Sequence, residues 1–445
     1  MIAPAIAPAT APIAAPFLAL LCGSTVCANA AVDMNAASRT AMNLFMMPPW
    51  FLPFVCPPHR NGPATMRLSM EVKLLRGDTM TLMPPERSMR DVLSNLLKYG
   101  DLSFRDFVEI VLYHPGFGYY TAGQKRVGKE GDYVTSPTLS PVFSYAIGNL
   151  VREFMSRCEG EVFTIVDIGC GGGELIRALR EEITDPRARF FGIDRPQTIE
   201  EIPTDGTHFI IGNELYDAFP FARLVQRGEH LHELWVNDQL EWTEREATTS
   251  YEDYFAERGI TLEDGQFADV SLEWESFHAD VIKRFDHALL VTIDYGHPAT
   301  KLFHPRARRF GTAAAYAQQR VTRDLLANPG EQDLTAHINF TDLERAGERN
   351  GATALFFDRL AKFLLTLDIT SHALLRPDGG WQMADGENVD DASAICHLPS
   401  AINDLQARDD ARRLILPDGI GEDQRVLVQA KGVPLDGWSF QRRLF

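Results

Sequence analysis

The sequence predicts an α/β fold, an open and mostly parallel sheet with helices on both faces and an inserted α+β cap. Three observations carry that expectation. Phe163, Ile165, Val166 and Ile168 form an apolar, largely β-branched run that reads as a buried strand. The glycine-rich turn Gly169-Cys170-Gly171-Gly172-Gly173 follows at once, and residues 174–180 then have helical spacing and good helix formers. Two later apolar runs, 208–212 and 288–293, end in the polar clusters Asn213-Glu214 and Asp294-Tyr295-Gly296-His297. Strand, glycine turn and helix open a nucleotide-binding βαβ unit of Rossmann-like type, and ligands of such sheets bind outside the carboxyl ends of the strands.

The glycine spacing selects the ligand. A dinucleotide fingerprint, G-x-G-x-x-G counted from Gly169, needs glycine where Glu174 stands. The spacing that fits is acid-x-Gly-x-Gly-x-Gly, with Asp167, Gly169, Gly171 and Gly173, the pattern of class I methyltransferases that use S-adenosylmethionine (SAM). The chemistry agrees. Pyrophosphate favours a site free of carboxylates, whereas SAM carries an ammonium and a sulfonium. Asp167 can accept from the ammonium in a charge-assisted pair, while the SAM carboxylate faces free N–H groups at the helix N-terminus. Asp194 ends the next strand pattern, 21 residues after Gly173, where an acid holds ribose hydroxyls. A tight turn without ligand and a nicotinamide oxidoreductase are the competing readings; three alternating glycines after an acid speak against both.

Composition is that of a globular protein, 445 residues with 45% hydrophobic and 23% charged. The length allows one large domain with insertions, or two domains. A formal net charge of −18 without a basic patch argues against nucleic acid as a partner and suits a cationic substrate. The six cysteines, at 22, 27, 56, 158, 170 and 396, show no zinc spacing, so no metal site is expected, and their scatter suits free thiols in a reducing compartment. Residues 1–32 hold no charged side chain and are rich in Ala and Pro. A short apolar stretch there resembles a secretory signal, but no basic residue precedes Arg39, and it is too short and Pro-broken to span a membrane. We expect a disordered extension over 1–65, with Met66, Met70 or Met80 as alternative starts, and a cytoplasmic protein without stable membrane insertion. Secretion conflicts with a SAM site.

Along the chain, residues 88–98 read as an amphipathic helix, and Ser103-Phe104-Arg105-Asp106 as a cap opening a second. A glycine-punctuated loop over 118–137 follows. Residues 231–242 read as a hairpin turning at Asn237-Asp238, the acidic remainder of 225–280 as helical, 301–309 as a basic loop, 313–326 as a helix, and 425–430 as a late strand of antiparallel direction. Glu214 and Asp217, three apart, share a face if a helical turn follows the strand, and paired acids there can hold a guanidinium in bidentate fashion. The same residues can instead cap the turn. His297 is a base, a substrate contact or a turn histidine, and His337 points into the cleft or is structural.

The runs L-Y-H-P-G-F-G-Y-Y and G-K-E-G-D-Y-V-T-S-P (within residues 112–137) resemble the MidA-type methyltransferase family. So do V-D-I-G-C-G-G-G-E-L, N-E-L-Y-D-A-F-P at 213–220, I-D-Y-G-H at 293–297 and N-P-G-E-Q-D-L-T-A-H-I-N-F at 328–340, in the family's order. Mitochondrial members of that family are assembly factors for respiratory complex I. The resemblance implies SAM as cofactor and, in a eukaryote, a mitochondrial location. It implies a protein acceptor, an arginine on a respiratory subunit, with a non-catalytic SAM-binding assembly factor as the alternative. The expected cofactor site comprises Asp167, Gly169, Gly171, Gly173, Asp194, Asn213 and, from the loop, Gly131 and Thr135. Glu214 orients and polarises the guanidinium, with Asp217 or His297 assisting.

Two departures stand out. Asp194-Arg195-Pro196-Gln197 replaces the family's acid-x-Ser-Pro-x-x-Arg-x-x-Gln pattern, and the short 194–213 segment predicts a reduced helix beside the adenine. Arg359-Leu360-Ala361-Lys362 stands in place of a Thr-Gln pair. The expected organisation is 66–160 as an N-terminal helical segment with the lid loop, 161–298 as the SAM-binding core carrying the 225–280 insertion, 299–350 as a cap insertion, and 351–445 completing the sheet.

Overall fold

Buried β-branched runs, alternating with amphipathic segments, set the architecture. The computed structural model describes residues 87–122, 136–317, 320–375, 398–417 and 419–442. The extension expected over 1–65 and the loop residues Gly131 and Thr135 lie outside the described residues. Helix α1 (Met89–Leu97) is capped by Ser88, whose hydroxyl accepts from Asp91 N–H at 3.2 Å. Strand β1 (Leu102–Ser103) leads into α2 (Phe104–Tyr113), where Ser103 Oγ accepts from Asp106 N–H at 3.1 Å as its spacing predicts. Short α3 (Ser136–Leu139) precedes α4 (Pro141–Arg157).

The nucleotide-binding unit follows: β2 (Phe163–Ile168), buried at every position, then the glycine turn, α5 (Glu174–Glu182) and β3 (Ala188–Ile193). Only a 3-10 turn, Ile199–Glu201, separates β3 from β4 (Thr207–Asn213), so the helix expected to be reduced is absent from this connection. A second sheet is inserted next. It is built from β5 (Ala222–Arg227), β6 (His230–Val236), β7 (Trp242–Glu246), α6 (Thr249–Glu257) and β8 (Phe267–Val270). The hairpin predicted for 231–242 is β6 with β7, paired from Val236↔Trp242 to His232↔Glu246. Strand β1 joins the same sheet through Leu102↔Val236, so the N-terminal segment and the insertion share one hydrogen-bonded layer.

Helix α7 (Glu273–Arg284) returns the chain to the core at β9 (Ala288–His297). Beyond α8 (Ala299–Leu302), a small sheet of β10 (Ala314–Ala317), β11 (Arg320–Thr322) and β12 (Asp333–Thr335) occupies the segment predicted as helix at 313–326. Its alanines favour a helix locally, but Ala314 and Ala315 pair with Thr335 and Leu334, and the buried Ala315 packs in the N-terminal core. Then come β13 (Ile338–Asn339), α9 (Phe340–Arg349), β14 (Thr353–Arg359), α10 (Leu360–Thr366), α11 (Leu398–Arg412), α12 (Ile420–Asp423) and β15 (Gln424–Lys431).

The main sheet runs β14-β15-β9-β4-β2-β3, with β13 beside the end of β9. Strands β3, β2, β4 and β9 are parallel, and β15 is antiparallel to both its neighbours. Helices α4, α5 and α10 cover one face; α7 and α9 cover the other. The register aligns the site. Ile168 lies opposite Gly212, Asn213 opposite Ile293, and Gln424 opposite Tyr295. The carboxyl ends of β2, β4 and β9 and the amino end of β15 therefore share one edge.

A buried ion pair fastens the insertion to this sheet. Arg258 Nε donates to Asp342 Oδ1 at 2.5 Å and Nη2 to Glu275 Oε2 at 2.5 Å, while Tyr254 Oη donates to Asp342 Oδ2 at 2.7 Å. The side chains of Arg258 and Asp342 are 3% and 0% exposed, so removing one partner strands a buried charge. Asp342→Ala is expected to destabilise the fold by about 3–5 kcal/mol in urea unfolding, more than any exposed ion pair here would contribute.

Candidate active site

The glycine turn adopts backbone that side chains resist: φ is +75° at Gly169, +51° at Gly171 and +76° at Gly173. A Cβ on Gly171 would meet nothing within 4 Å, so the turn faces open space there. Gly173 caps α5 with no side-chain hydrogen bond, which leaves that N-terminus ready for an anion. Gly171 N–H donates to Asp194 Oδ2 at 2.8 Å, and Arg195 N–H donates to Oδ1 at 2.7 Å, so the acid at the end of β3 is held against the turn.

Asp167, at the end of β2, is 4% exposed. Burial pushes its carboxyl up to about 8, with Asp194 and Glu174 adding to the rise and no hydrogen bond opposing it. Next door, Asn213 Oδ1 is buried without a hydrogen-bond partner. An uncompensated acid, an orphan acceptor and an uncovered helix N-terminus thus meet at one edge beside an open glycine turn. This donor and acceptor set fits SAM: Asp167 and Asn213 for the ammonium end, α5 for the carboxylate, Asp194 for the ribose. The adenine side is bounded differently from a helix-flanked site. Arg195 stacks on Tyr113 with its guanidinium 3.9 Å from the ring centre and pairs with Glu109 at 3.0 Å, so α2 walls this end. Gly171→Val would put a branched side chain in the open space and strain the turn. The expected result is loss of SAM binding in calorimetry, with a melting temperature only a few degrees lower.

The second cluster lies beyond β4. Glu214 stands at φ +51°, a left-handed conformation, and a turn rather than a helix follows it. The shared helical face predicted for Glu214 and Asp217 is therefore corrected: the bend at Glu214 breaks the helix. Tertiary anchors bring the two acids together instead. Tyr216 N–H donates to Asp294 Oδ2 at 2.8 Å, Asp217 N–H to the same oxygen at 3.3 Å, and Trp274 Nε1 to Tyr216 O at 2.8 Å. Glu214 Oε1 accepts from Gln424 Nε2 at 2.9 Å, from Ser136 N–H at 3.3 Å and from Asn213 Nδ2 at 3.5 Å. Ser136 Oγ fixes the amide by donating to Gln424 Oε1 at 3.0 Å.

Burial raises Glu214 to about 7 against those three donors. Asp217 rises well above the usual carboxylate range through burial, then Asp294 and Glu214. Asp294 is raised to about 7 by burial, opposed by the backbone N–H groups of Tyr216, Tyr295 and Asp217. Asp333, which accepts from Tyr120 Oη at 2.8 Å, adds to the field at Glu214 and Asp217. Among the described residues no Lys or Arg pairs with Glu214, Asp217 or Asp294. The sequence reading missed Asp333, Gln424 and Ser136, and named Asp294 only as a strand end.

His297 is placed elsewhere. Arg308 Nη2 donates to its Nε2, and burial with Arg308 and His337 presses it down to about 3. It is neutral at pH 7, with that lone pair already engaged.

A profile of the family described as "Putative S-adenosyl-L-methionine-dependent methyltransferase" matches residues 189–357. The chain is similar to the MidA-type family of SAM-dependent methyltransferases, over less than half of its length by that profile. Among relatives, the rat mitochondrial protein arginine methyltransferase NDUFAF7 is 22% identical over 316 residues, 58% of this chain and 69% of the relative. The Drosophila melanogaster homologue is 22% identical over 349 residues, 64% and 77%. A Burkholderia thailandensis structure bound to S-adenosyl-homocysteine superposes with a TM-score of 0.63 at 24% identity, over 80% of this chain and 95% of that one. A second structure from that organism gives 0.59 at 23%, over 79% and 94%. These likenesses establish the fold, and the family that the profile describes is SAM-dependent. Among the described residues no helix is long and apolar enough to cross a membrane, and no group of His, Cys, Asp and Glu could hold a metal.

Proposed function

We propose that this MidA-type methyltransferase acts on an arginine of a protein partner, as the names of its relatives say of them. The observation that carries the reading is the acid cluster of Glu214, Asp217 and Asp294, raised chiefly by burial and then by neighbouring acids, and lacking any cation of its own among the described residues. A guanidinium is planar, always charged and bidentate, and is the side chain such a cluster suits best.

When bound, SAM supplies a methyl group on a sulfonium that leaves as a neutral thioether. This chain's residues do the rest. Glu214 Oε2, opposite the oxygen taken by Gln424 and Ser136, holds one guanidinium nitrogen. Asp217 pairs with a second nitrogen and keeps the group in plane. As the carbon–nitrogen bond forms, the proton lost from that nitrogen passes to the Glu214 carboxylate, whose raised affinity for protons suits the task. Holding the nucleophile in line at ~3 Å is chiefly a proximity effect. His297 takes no part as a base in this scheme, because Arg308 already donates to it. The cytosol is the compartment we infer, with the mitochondrion named for the relatives as the alternative.

The test incubates the full chain with labelled SAM and a protein extract, then hydrolyses the products. Label in methylated arginine supports the reading. Label on another residue overturns the acceptor, and intact SAM binding with no label on any protein favours the non-catalytic assembly factor.

A further inference from the structure

We propose an anion-binding subsite beside the acid pocket, formed by Arg308, Arg425, His297 and His337, which takes a carboxylate of the acceptor chain close to the residue that is methylated. The proposal deepens the acceptor reading above and rests on it for the identity of the occupant.

Geometry assembles the subsite. Strand β9 continues past Asp294 to Tyr295 and His297, and β13 pairs beside it with Asn339 opposite His297. His337, just before β13, lies with its ring 5.9 Å from His297 and stacked 6.3 Å from Tyr295. Its Nδ1 is buried and has no hydrogen-bond partner. Arg308 reaches in from the basic loop, where Nη1 donates to Lys301 O at 3.2 Å and Nη2 to His297. Arg425 sits opposite Asp294 in the sheet register and donates through Nη1 to the carbonyls of Glu422, Asp423 and Gln424.

Neither Arg308 nor Arg425 makes an ion pair with a carboxylate among the described residues, although Asp358, Glu422 and Asp423 lie within electrostatic range of Arg425. Most of the acids within range are committed elsewhere, Asp358 to Lys362 among them. Asp269, which faces His337, accepts from Arg223 at 2.6 Å and from the N–H groups of Thr312 and Ala313. Glu422 pairs with Arg359. Burial, and then the nearby Arg308 and Arg425, hold His297 and His337 neutral, while burial lowers the proton affinity of Arg308. A carbonyl and a histidine lone pair hold the Arg308 guanidinium in place but give it no carboxylate partner among the described residues.

The subsite is continuous with the acid pocket. Half-buried Tyr295 lies between them, stacked on His337 on one side and within electrostatic range of Glu214 and Asp217 on the other. An anionic cluster and a cationic one therefore lie side by side along the end of β9. An acceptor bearing a cation and, nearby along its chain, a carboxylate complements both, and a chain with lysine or arginine in the second position is repelled.

The probes are three fluorescein-labelled peptides in a Gly-Ser background, titrated against the full chain with S-adenosylhomocysteine present and read by anisotropy, which needs no turnover. One has arginine flanked on both sides by glutamates. The second has glutamine at the flanks, and the third keeps the glutamates but has citrulline for arginine. The glutamate peptide is expected to bind about tenfold tighter than the glutamine peptide, an effect that shrinks at high salt. Arg308→Gln and Arg425→Gln each reduce that ratio towards one, and Arg308→Lys restores it. Equal binding of the first two peptides by the unaltered chain overturns the subsite, whatever the variants do. Equal binding of the arginine and citrulline peptides overturns the guanidinium reading instead, so the two failures are distinguishable.

Discussion

Asp167→Asn is expected to lower affinity for SAM by about two orders of magnitude, measured by calorimetry. A charge-assisted hydrogen bond in a water-poor site contributes roughly 2–3 kcal/mol, and asparagine keeps the shape while removing the charge. The pH dependence is the sharper test. Burial holds Asp167 protonated up to about 8, yet an ammonium needs the ionised form. Binding below pH 8 must therefore release a proton. Affinity rises with pH, by up to tenfold per unit between about 6 and 8, and then levels. The asparagine variant loses that slope, and heats measured in buffers of different ionisation enthalpy lose their difference. Stability moves the other way. A carboxyl with a raised pKa in the fold stabilises fully below its unfolded value of 3.8, and that contribution is lost as pH rises through about 8. The slope is about 1.4 kcal/mol per pH unit at most, so the ligand-free Asp167→Asn chain outlasts the parent at pH 8.

The second large effect falls on turnover. Glu214→Gln is expected to cut kcat by about 10²–10³ while SAM affinity stays within a few-fold. Glutamine can still accept from Gln424 and Ser136, so the site keeps its shape and loses its base. In the parent, kcat rises with pH through an apparent value near 7, because Glu214 must be ionised to take the proton. Asp217 and Asp294 titrate with it, so the limb belongs to the cluster rather than to one residue. If Glu214→Gln shows the same acid limb as the parent, the proton goes elsewhere.

The cofactor half of this site was legible because its signal is local. A strand, an acid and three glycines lie within one stretch of chain, and Asp194 follows at a fixed interval. The acceptor half was only partly legible. Glu214 and Asp217 were marked by position at a strand end, but their juxtaposition depends on Asp294 and Trp274, far along the chain. Nothing near Gln424 or Ser136 in sequence announces that each reaches Glu214. The mistaken helix over 313–326 has the same origin: alanine propensity is local, whereas the pairing of β10 with β12 is not. His297 drew attention as a histidine at a carboxyl edge, and only the fold shows Arg308 on its ring nitrogen.

Gln424 opens β15, the strand that enters the sheet after all the others have been made. Its amide is the nearest of the donors to Glu214. The acceptor pocket is therefore complete only when the last strand of the sheet is seated beside β9.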